Sequence, residues 1–289
     1  MSLATSSVRS IRLDANVTPL CADALCLSSV DLTRMSSGDG RLVIGSNTTS
    51  SIEINAADAA EFSSTTYIAL QALHPRARII FNSSAASFYA MSAISDDAII
   101  VDGDITTRGG HGLYLSTTGT NASGILLATN VTLFANSSSS SNSSRLSIIG
   151  KATTFGRSTL RSVNGIILNA DLTLESLRTA DNVSSAPNTP YTAFIDASVG
   201  VLTVSEGRTL TGGPNYLVVS AMGLDLLGGI LMGAGSAYFA TPSAIVIGDI
   251  PSSASSFHIS NDELNRISTQ GVYSSEESQP LPHPNPNPN

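Results

Sequence analysis

Eight asparagines in this chain stand two residues ahead of a serine or threonine with no proline between: Asn16, Asn47, Asn82, Asn121, Asn130, Asn136, Asn142 and Asn182. Each such triplet offers a side-chain amide that can be joined to an oligosaccharide, and the bulk of the sugar demands a surface position. All eight lie before residue 183, and four crowd into residues 121–142, which predicts one sugared face or loop there. Pro19 follows the Asn16 triplet and makes it a poor acceptor. The run NSSSSSNSS, residues 136–144, has no apolar side chain and reads as an exposed loop carrying two of the acceptors.

Carboxylates are the second group able to do chemistry. Asp96 and Asp97 are adjacent, and Asp102 and Asp104 follow closely. Paired carboxylates suit glycosidic cleavage by acid and base, and clustered oxygen ligands suit calcium. The preferred reading places all four at polar corners, with no catalytic residue, no cofactor and Ca2+ as a minor alternative. His74, His111, His258 and His283 show no metal-ligand spacing, so no metal site is expected. A phosphate-cradling glycine loop and a nucleophile motif are both missing from the sequence.

Cys21 and Cys26 are the only cysteines. Two cannot build a four-cysteine zinc site or a disulfide-rich scaffold. In an oxidising compartment they close a small loop as a disulfide; the alternative is a pair of buried thiols. At the other end, Pro280, Pro282, Pro284, Pro286 and Pro288 alternate with other residues in SQPLPHPNPNPN. That spacing favours an extended polyproline-II segment, excluded from an interior sheet. It is expected to dock or to carry dense modification on its prolines; the alternative is a flexible linker.

What must position these groups is a largely β chain. The 289 residues suffice for a sizeable core. Only 12% are charged, so solubility must come from hydroxyls, amides or attached sugars. The net charge of −8 and the single lysine, Lys151, leave no basic footprint for nucleic acid. There is no apolar run of membrane-spanning length. The opening MSLATSSVRS lacks the basic-then-apolar pattern of a secretion leader, so a secreted role expects a leader upstream of residue 1.

Helical periodicity is nearly absent. Short apolar runs bounded by Gly, Asn, Asp and Ser recur, among them RLVIG, RIIFN, GILLA and YLVVS. Four segments align without gaps: AIIVDGDITT from Ala98, GILLATNVTL from Gly124, GIILNADLTL from Gly165 and GVLTVSEGRTL from Gly200. Each is two β-segments across a polar corner, as in neighbouring sides of one coil. Internal repeats of this kind point to an all-β parallel β-helix, a solenoid that stacks like on like with Val, Ile and Leu inward. Two helices are expected, a short one at the start of 56–73 and one over 261–267. Ser260 caps the second, with Glu263 completing a capping box. The domains are then 1–40, an N-terminal segment or cap with the cysteine pair; 41–270, the β-helix; and 271–289, the extended tail.

The stretch from DASVGVLTVSEGRTL to FHISNDELNRIST resembles filamentous-haemagglutinin-like surface proteins. Its closing element S-x-x-EL-x-RI is matched by Ser260, Glu263, Leu264, Arg266 and Ile267. The resemblance covers roughly residues 95–270. It implies a right-handed parallel β-helix acting in adhesion or in fibre-like surface structures. The Pro-Asn tail and the sequons depart from that family and point instead to a eukaryotic surface or filament glycoprotein. The pair Asp96–Asp97 with GHG at 110–112 is similar to the polygalacturonase-type glycosidases, but that family's upstream Asn-Thr-Asp and downstream Arg-Ile-Lys are missing.

The function expected is therefore a structural, non-enzymatic subunit of a secreted, glycosylated extracellular filament. Its partners are copies of itself joined end to end as a homopolymer, and its attached glycans. The alternatives are a cell-surface adhesin or carbohydrate-binding module that grips a carbohydrate surface, and a polysaccharide-cleaving enzyme.

Overall fold

The computed structural model describes residues 2–3, 9–14, 24–35, 40–55, 57, 67–82, 85–109, 111–136, 145–175, 192–241, 245–248 and 257–276. Within them every strand pairing is parallel; Ile245–Ile247 and Phe257–Ile259 pair with each other, and the other strands stack into three ladders. The first ladder runs Ser2–Leu3, Arg41–Ser46, Tyr67–Ala72, Met91–Ser95, Leu113–Thr117, the start of Leu146–Phe155, the start of Ile166–Glu175, Val201–Val204 and Gly223–Leu226. The second runs Ala24–Ser28, Arg9–Asp14, Thr49–Ile54, Arg78–Phe81, Ala98–Val101, Gly124–Leu127, the ends of the two long strands, Thr209–Thr211, Gly229–Leu231 and Ile267–Ser268. The third joins Ala86–Phe88, Ile105–Thr107, Val131–Ala135, Ser158–Ser162, Thr192–Asp196, Tyr216–Ser220, Ser236–Thr241 and Gly271–Glu276. From residue 41 to 241 the chain visits first, second and third ladder in turn, then returns to the first. The protein is thus all-β with long parallel sheets, an arrangement compatible with a β-helix or solenoid.

Alternation within each strand builds the core. In the first ladder Leu42, Ile68, Met91, Leu113, Leu146 and Ile166 stack in register, each at most 1% exposed. Burying one such side chain contributes about 1.5–3 kcal/mol, and stacking repeats the gain at every turn of the chain. The positions beside them are Val43, Ala69, Ser92, Tyr114, Ser147 and Ile167; Ala69 and Ser92 are buried, and the other four need only fit a half-solvated sheet surface.

Corners need glycine where successive turns approach closely. Gly124 has φ +96°, and a Cβ there would sit 2.6 Å from the Lys151 carbonyl oxygen. Gly165 has φ +116°, and its Cβ would sit 2.8 Å from the Val201 carbonyl oxygen. Side chains of any other residue are excluded twice over, by backbone conformation and by contact.

Two segments close the stack. At the amino-terminal end the helix Ser29–Arg34 lies against Ala24–Ser28 and inserts Leu32, 1% exposed, into the core. Its cap is reciprocal: the Asp31 backbone N–H donates to the Ser28 hydroxyl at 3.2 Å, and the Asp31 carboxylate accepts from the Ser28 backbone N–H at 2.9 Å. These hydrogen bonds, the Ser28 hydroxyl first, hold Asp31 below the usual carboxylate range. This helix had no counterpart in the sequence reading. At the other end the expected capping box is present: Ser260 precedes the helix Asn261–Leu264 and bonds reciprocally with Glu263.

The helix expected at the start of 56–73 falls, apart from Ala57, outside the described residues; the end of that stretch, Tyr67–Ala72, is a strand of the first ladder. One expectation is corrected. Of the four aligned segments, Ala98 and Gly124 do sit in register. Gly165 does not continue them: Gly124 leads into the second ladder, whereas Gly165 opens the first, where Ile166 stacks on Leu146 and Leu202. Gly200 is displaced by one residue, since Ile166 pairs with Leu202 and not with Val201.

Candidate functional site

The aspartates form a staple. Asp97 follows the first-ladder strand Met91–Ser95 and opens Ala98–Val101. One of its carboxylate oxygens accepts from the Ser123 backbone N–H at 2.9 Å and the Ser123 hydroxyl at 2.8 Å; the other accepts from Arg78 Nε at 2.9 Å. It thereby ties three successive turns of the chain. The Ser123 backbone hydrogen bond is the largest influence holding Asp97 below the usual carboxylate range, and Arg78 adds to it. A carboxyl so engaged is a poor proton donor. Asp96 accepts from the Arg76 backbone N–H at 2.8 Å, and Asp104 from the Thr132 backbone N–H at 2.7 Å. His111 packs edge-on to Tyr67, with ring centroids 6.1 Å apart, at the entrance to Leu113–Thr117. Asp97 lies at the exit of the adjacent strand, so a five-residue strand separates the two groups by about 15 Å. Among the described residues no three His, Cys, Asp or Glu side chains come together to hold a metal ion.

The sequons fall at corners. Asn121 lies between the first- and second-ladder strands of one turn of the chain, and Asn130 between its second and third. Asn136 follows the third-ladder strand Val131–Ala135. The three acceptors thus occupy three successive corners of a single turn, a belt around the stack where the spacing had predicted one face. Asn121 and Asn130 are exposed, and Asn136 is half-buried. Asn130 adopts φ +62°, a left-handed conformation that asparagine tolerates. Asn47 is exposed in the turn before Thr49–Ile54.

Asn82 is different. Its side-chain amide nitrogen donates to Asn55 Oδ1, and Asn55 Nδ2 donates to Asp14 at 2.8 Å. Asp14, Asn55, Asn82 and Asp102 succeed one another at the end of the second-ladder strands. Asn82 is therefore a rung of a polar ladder whose amide nitrogen is already engaged. Asn16, Asn142 and Asn182 lie outside the described residues, as do Pro280, Pro282, Pro284, Pro286 and Pro288. Cys26, in Ala24–Ser28, is disulfide-bonded; Cys21, the other cysteine of the chain, lies outside the described residues.

All five residues of the closing motif have a structural task. Ser260 caps the helix, and Leu264 packs against the core. Glu263 Oε1 accepts from the Leu226 backbone N–H at 3.1 Å, while Arg266 Nη1 donates to the Leu226 carbonyl at 2.7 Å. These side chains take the place of a following strand on Gly223–Leu226. Ile267 pairs with Ile230 and carries the second ladder on. Phe257 and Ile259, both at most 1% exposed, fill the core beneath.

The outward side of the third ladder carries aromatic rings under arginines, a feature with no obvious period in the sequence. Arg161 lies 4.8 Å from the centre of the Phe134 ring and pairs with Asp196 at 3.0 Å. Arg157 lies 5.6 Å from the Phe194 ring, and Tyr216 and Tyr238 follow with centroids 6.3 Å apart. In-register pairing of Phe134, Arg161 and Asp196 on consecutive strands makes this row.

No protein-family model matches the chain, and neither a curated protein nor a solved structure does.

Proposed function

We propose that the chain is a structural rod of an extracellular or cell-surface filament: a right-handed parallel β-helix, N-glycosylated at its corners. The observation that carries this reading is the belt of acceptors at Asn121, Asn130 and Asn136, three corners of one turn. Corners are where side chains leave the core, so sugars there coat the sides without disturbing the packing. The engaged Asp97 supports a scaffold over a catalyst. The resemblance of the closing motif to that of filamentous-haemagglutinin-like proteins is in keeping with a surface role. End-to-end joining of copies would set the strand edges Ile267–Ser268 and Gly271–Glu276 of one copy against the other end of the next, where the helix Ser29–Arg34 lies, a head-to-tail contact that does not close.

The test is expression in a glycosylating secretory host, intact mass before and after enzymatic removal of N-glycans, and electron microscopy of the product. Sugar on Asn121, Asn130 and Asn136 with filaments in the images supports the reading. Unmodified asparagines on a secreted product overturn it. The variant Asn130→Gly removes one acceptor while suiting the left-handed backbone, so loss of one glycan with retained stability separates sugar attachment from turn formation.

A second reading, a carbohydrate-binding adhesin, is favoured by the aromatic–arginine row on the third ladder. Binding of a glycan panel that is abolished by Phe194→Ala would move the conclusion there.

A further inference from the structure

The apolar side chains left in solvent are not spread evenly. Among the described residues, Val199, Val201, Met222, Leu227, Leu231, Ile247 and Val272 are exposed large hydrophobics beyond residue 198, against Val30 and Tyr89 before it. Every sequon lies before residue 183. The acceptor triplets and the exposed apolar side chains therefore concentrate in different stretches of the chain.

Three of these side chains gather at one corner. Val199 is 66% exposed, Val201 43% and Met222 37%, and the Met222 backbone N–H donates to the Gly200 carbonyl at 3.0 Å. Beside them the outward side of the first ladder holds a groove of about 530 Å³ lined by Ile167, Val201, Thr203 and Leu224. Gly223, which presents no side chain, leaves room in it, and Gly200 lets two turns of the chain approach closely beside it. At Gly200 no side chain could be added, since a Cβ would run into the backbone of Asn164 and Gly165.

The register fixes the layout. Arg145, Gly165, Val201 and Gly223 follow one another on successive strands, and so do Ser147, Ile167, Thr203 and Asp225. Arg145 lines one end of the groove and Asp225 the other. Three strand spacings of about 4.8 Å separate them, roughly 14 Å along the stack. Both are exposed, and among the described residues neither side chain has a partner.

An apolar centre flanked by opposite charges at its two ends is self-complementary under a two-fold operation. If a second copy faces this surface with its stack running the opposite way, each Arg145 comes over the other copy's Gly223, where there is room, and within reach of the other copy's Asp225. The ion pair then forms twice around a centre of Val201 and Ile167.

We infer that the first-ladder surface between Arg145 and Asp225 is a lateral interface on which a second copy of this chain pairs antiparallel. This goes beyond the structural rod, since it joins copies side to side and not through their ends, and it holds whether or not the asparagines carry sugar.

The experiment is sedimentation equilibrium of the full chain over a concentration series, with thermal melts to confirm folding. At concentrations below the onset of end-to-end growth, the native chain is expected to be in monomer–dimer equilibrium. Arg145→Glu and Asp225→Arg each alone are expected to weaken the dimer about tenfold or more, by placing like charges in contact. The double variant, with the charges exchanged, is expected to recover most of the loss. Val201→Asp is expected to leave only monomer. A chain that stays monomeric at all concentrations overturns the inference. So does an association insensitive to the single charge changes, or one that the exchange does not restore. End-to-end filaments formed by a native chain that shows no lateral dimer would leave the rod standing and remove the lateral pair.

Discussion

Between residues 9 and 135 successive turns of the chain are tied together by side chains, along the strands and at the corners; between 200 and 235 the corners are made largely of glycine. In the first region Arg12 and Glu53 pair at 2.8 Å across adjacent strands, Ser51 donates to Ser10 at 2.7 Å, Asn55 and Asn82 continue a ladder from Asp14, and Asp97 binds Arg78 and Ser123. In the second, Gly200, Gly207, Gly212, Gly213, Gly228, Gly233 and Gly235 shape the turns, and backbone hydrogen bonds such as Gly235 N–H to Gly213 O at 2.8 Å join them. The same inward core runs beneath both. Corner chemistry is thus free to vary once the core is satisfied, and the variation sets the surface. Polar corners accommodate asparagine acceptors, whereas glycine corners draw the backbone in and leave Val199, Val201 and Leu227 uncovered.

The sharpest test is whether the core is in fact equivalent in the two regions. Ile52→Ala and Ile230→Ala, both at positions with no exposure, are expected to cost a similar 2–5 kcal/mol each in urea unfolding. A cost confined to one region would break the equivalence.

Gly165→Val should be as damaging, about 3 kcal/mol or more, since it combines a disfavoured backbone with a clash against Val201. Gly207→Ala, at φ +69° with open space around it, should cost only about 1 kcal/mol. The pair measures how much of a glycine corner is contact and how much is conformation.

Asp97→Asn should cost about 1–3 kcal/mol at neutral pH, through hydrogen bonds made by an ionised group. Its folded-state pKa is lowered, so its contribution is present in full above the ordinary carboxylate value of about 3.9 and is lost as pH falls through the lowered one. The gap between variant and native melting temperatures should therefore close on acidification below about pH 4. A gap that persists unchanged would show that shape, not charge, holds this corner.

The smallest effect belongs to the belt. Asn121→Gln should remove one glycan from the mass of the secreted protein with a stability change within about 0.5 kcal/mol, because the residue is exposed. Asn82→Gln should remove no glycan, yet destabilise by about 1 kcal/mol through loss of its bond to Asn55.

Several features were legible in the residues themselves. Apolar runs punctuated by Gly, Asn and Asp gave strands, Ser260 with Glu263 gave the capped helix, and the pair Ala98 and Gly124 gave a true register. The closing motif was visible as a pattern, though its task of meeting Leu226 was not, because Glu263 and Arg266 reach a strand 37 and 40 residues away. The helix Ser29–Arg34 escaped notice because six residues with one buried leucine are too short to show a period. Nor could the sequence show that Asn82 is engaged while Asn121 is free, since both wear the same triplet.

Local alternation and turn residues alone determined that this chain forms strands with an apolar inner side, for a side chain's preference for core or water acts on each residue where it stands. Tertiary structure decided which corner each segment turns. The three ladders ask for the same inward–outward alternation, so GIILNADLTL and GILLATNVTL are equivalent to the eye, and only stacking against the preceding turn assigns one to the first corner and the other to the second.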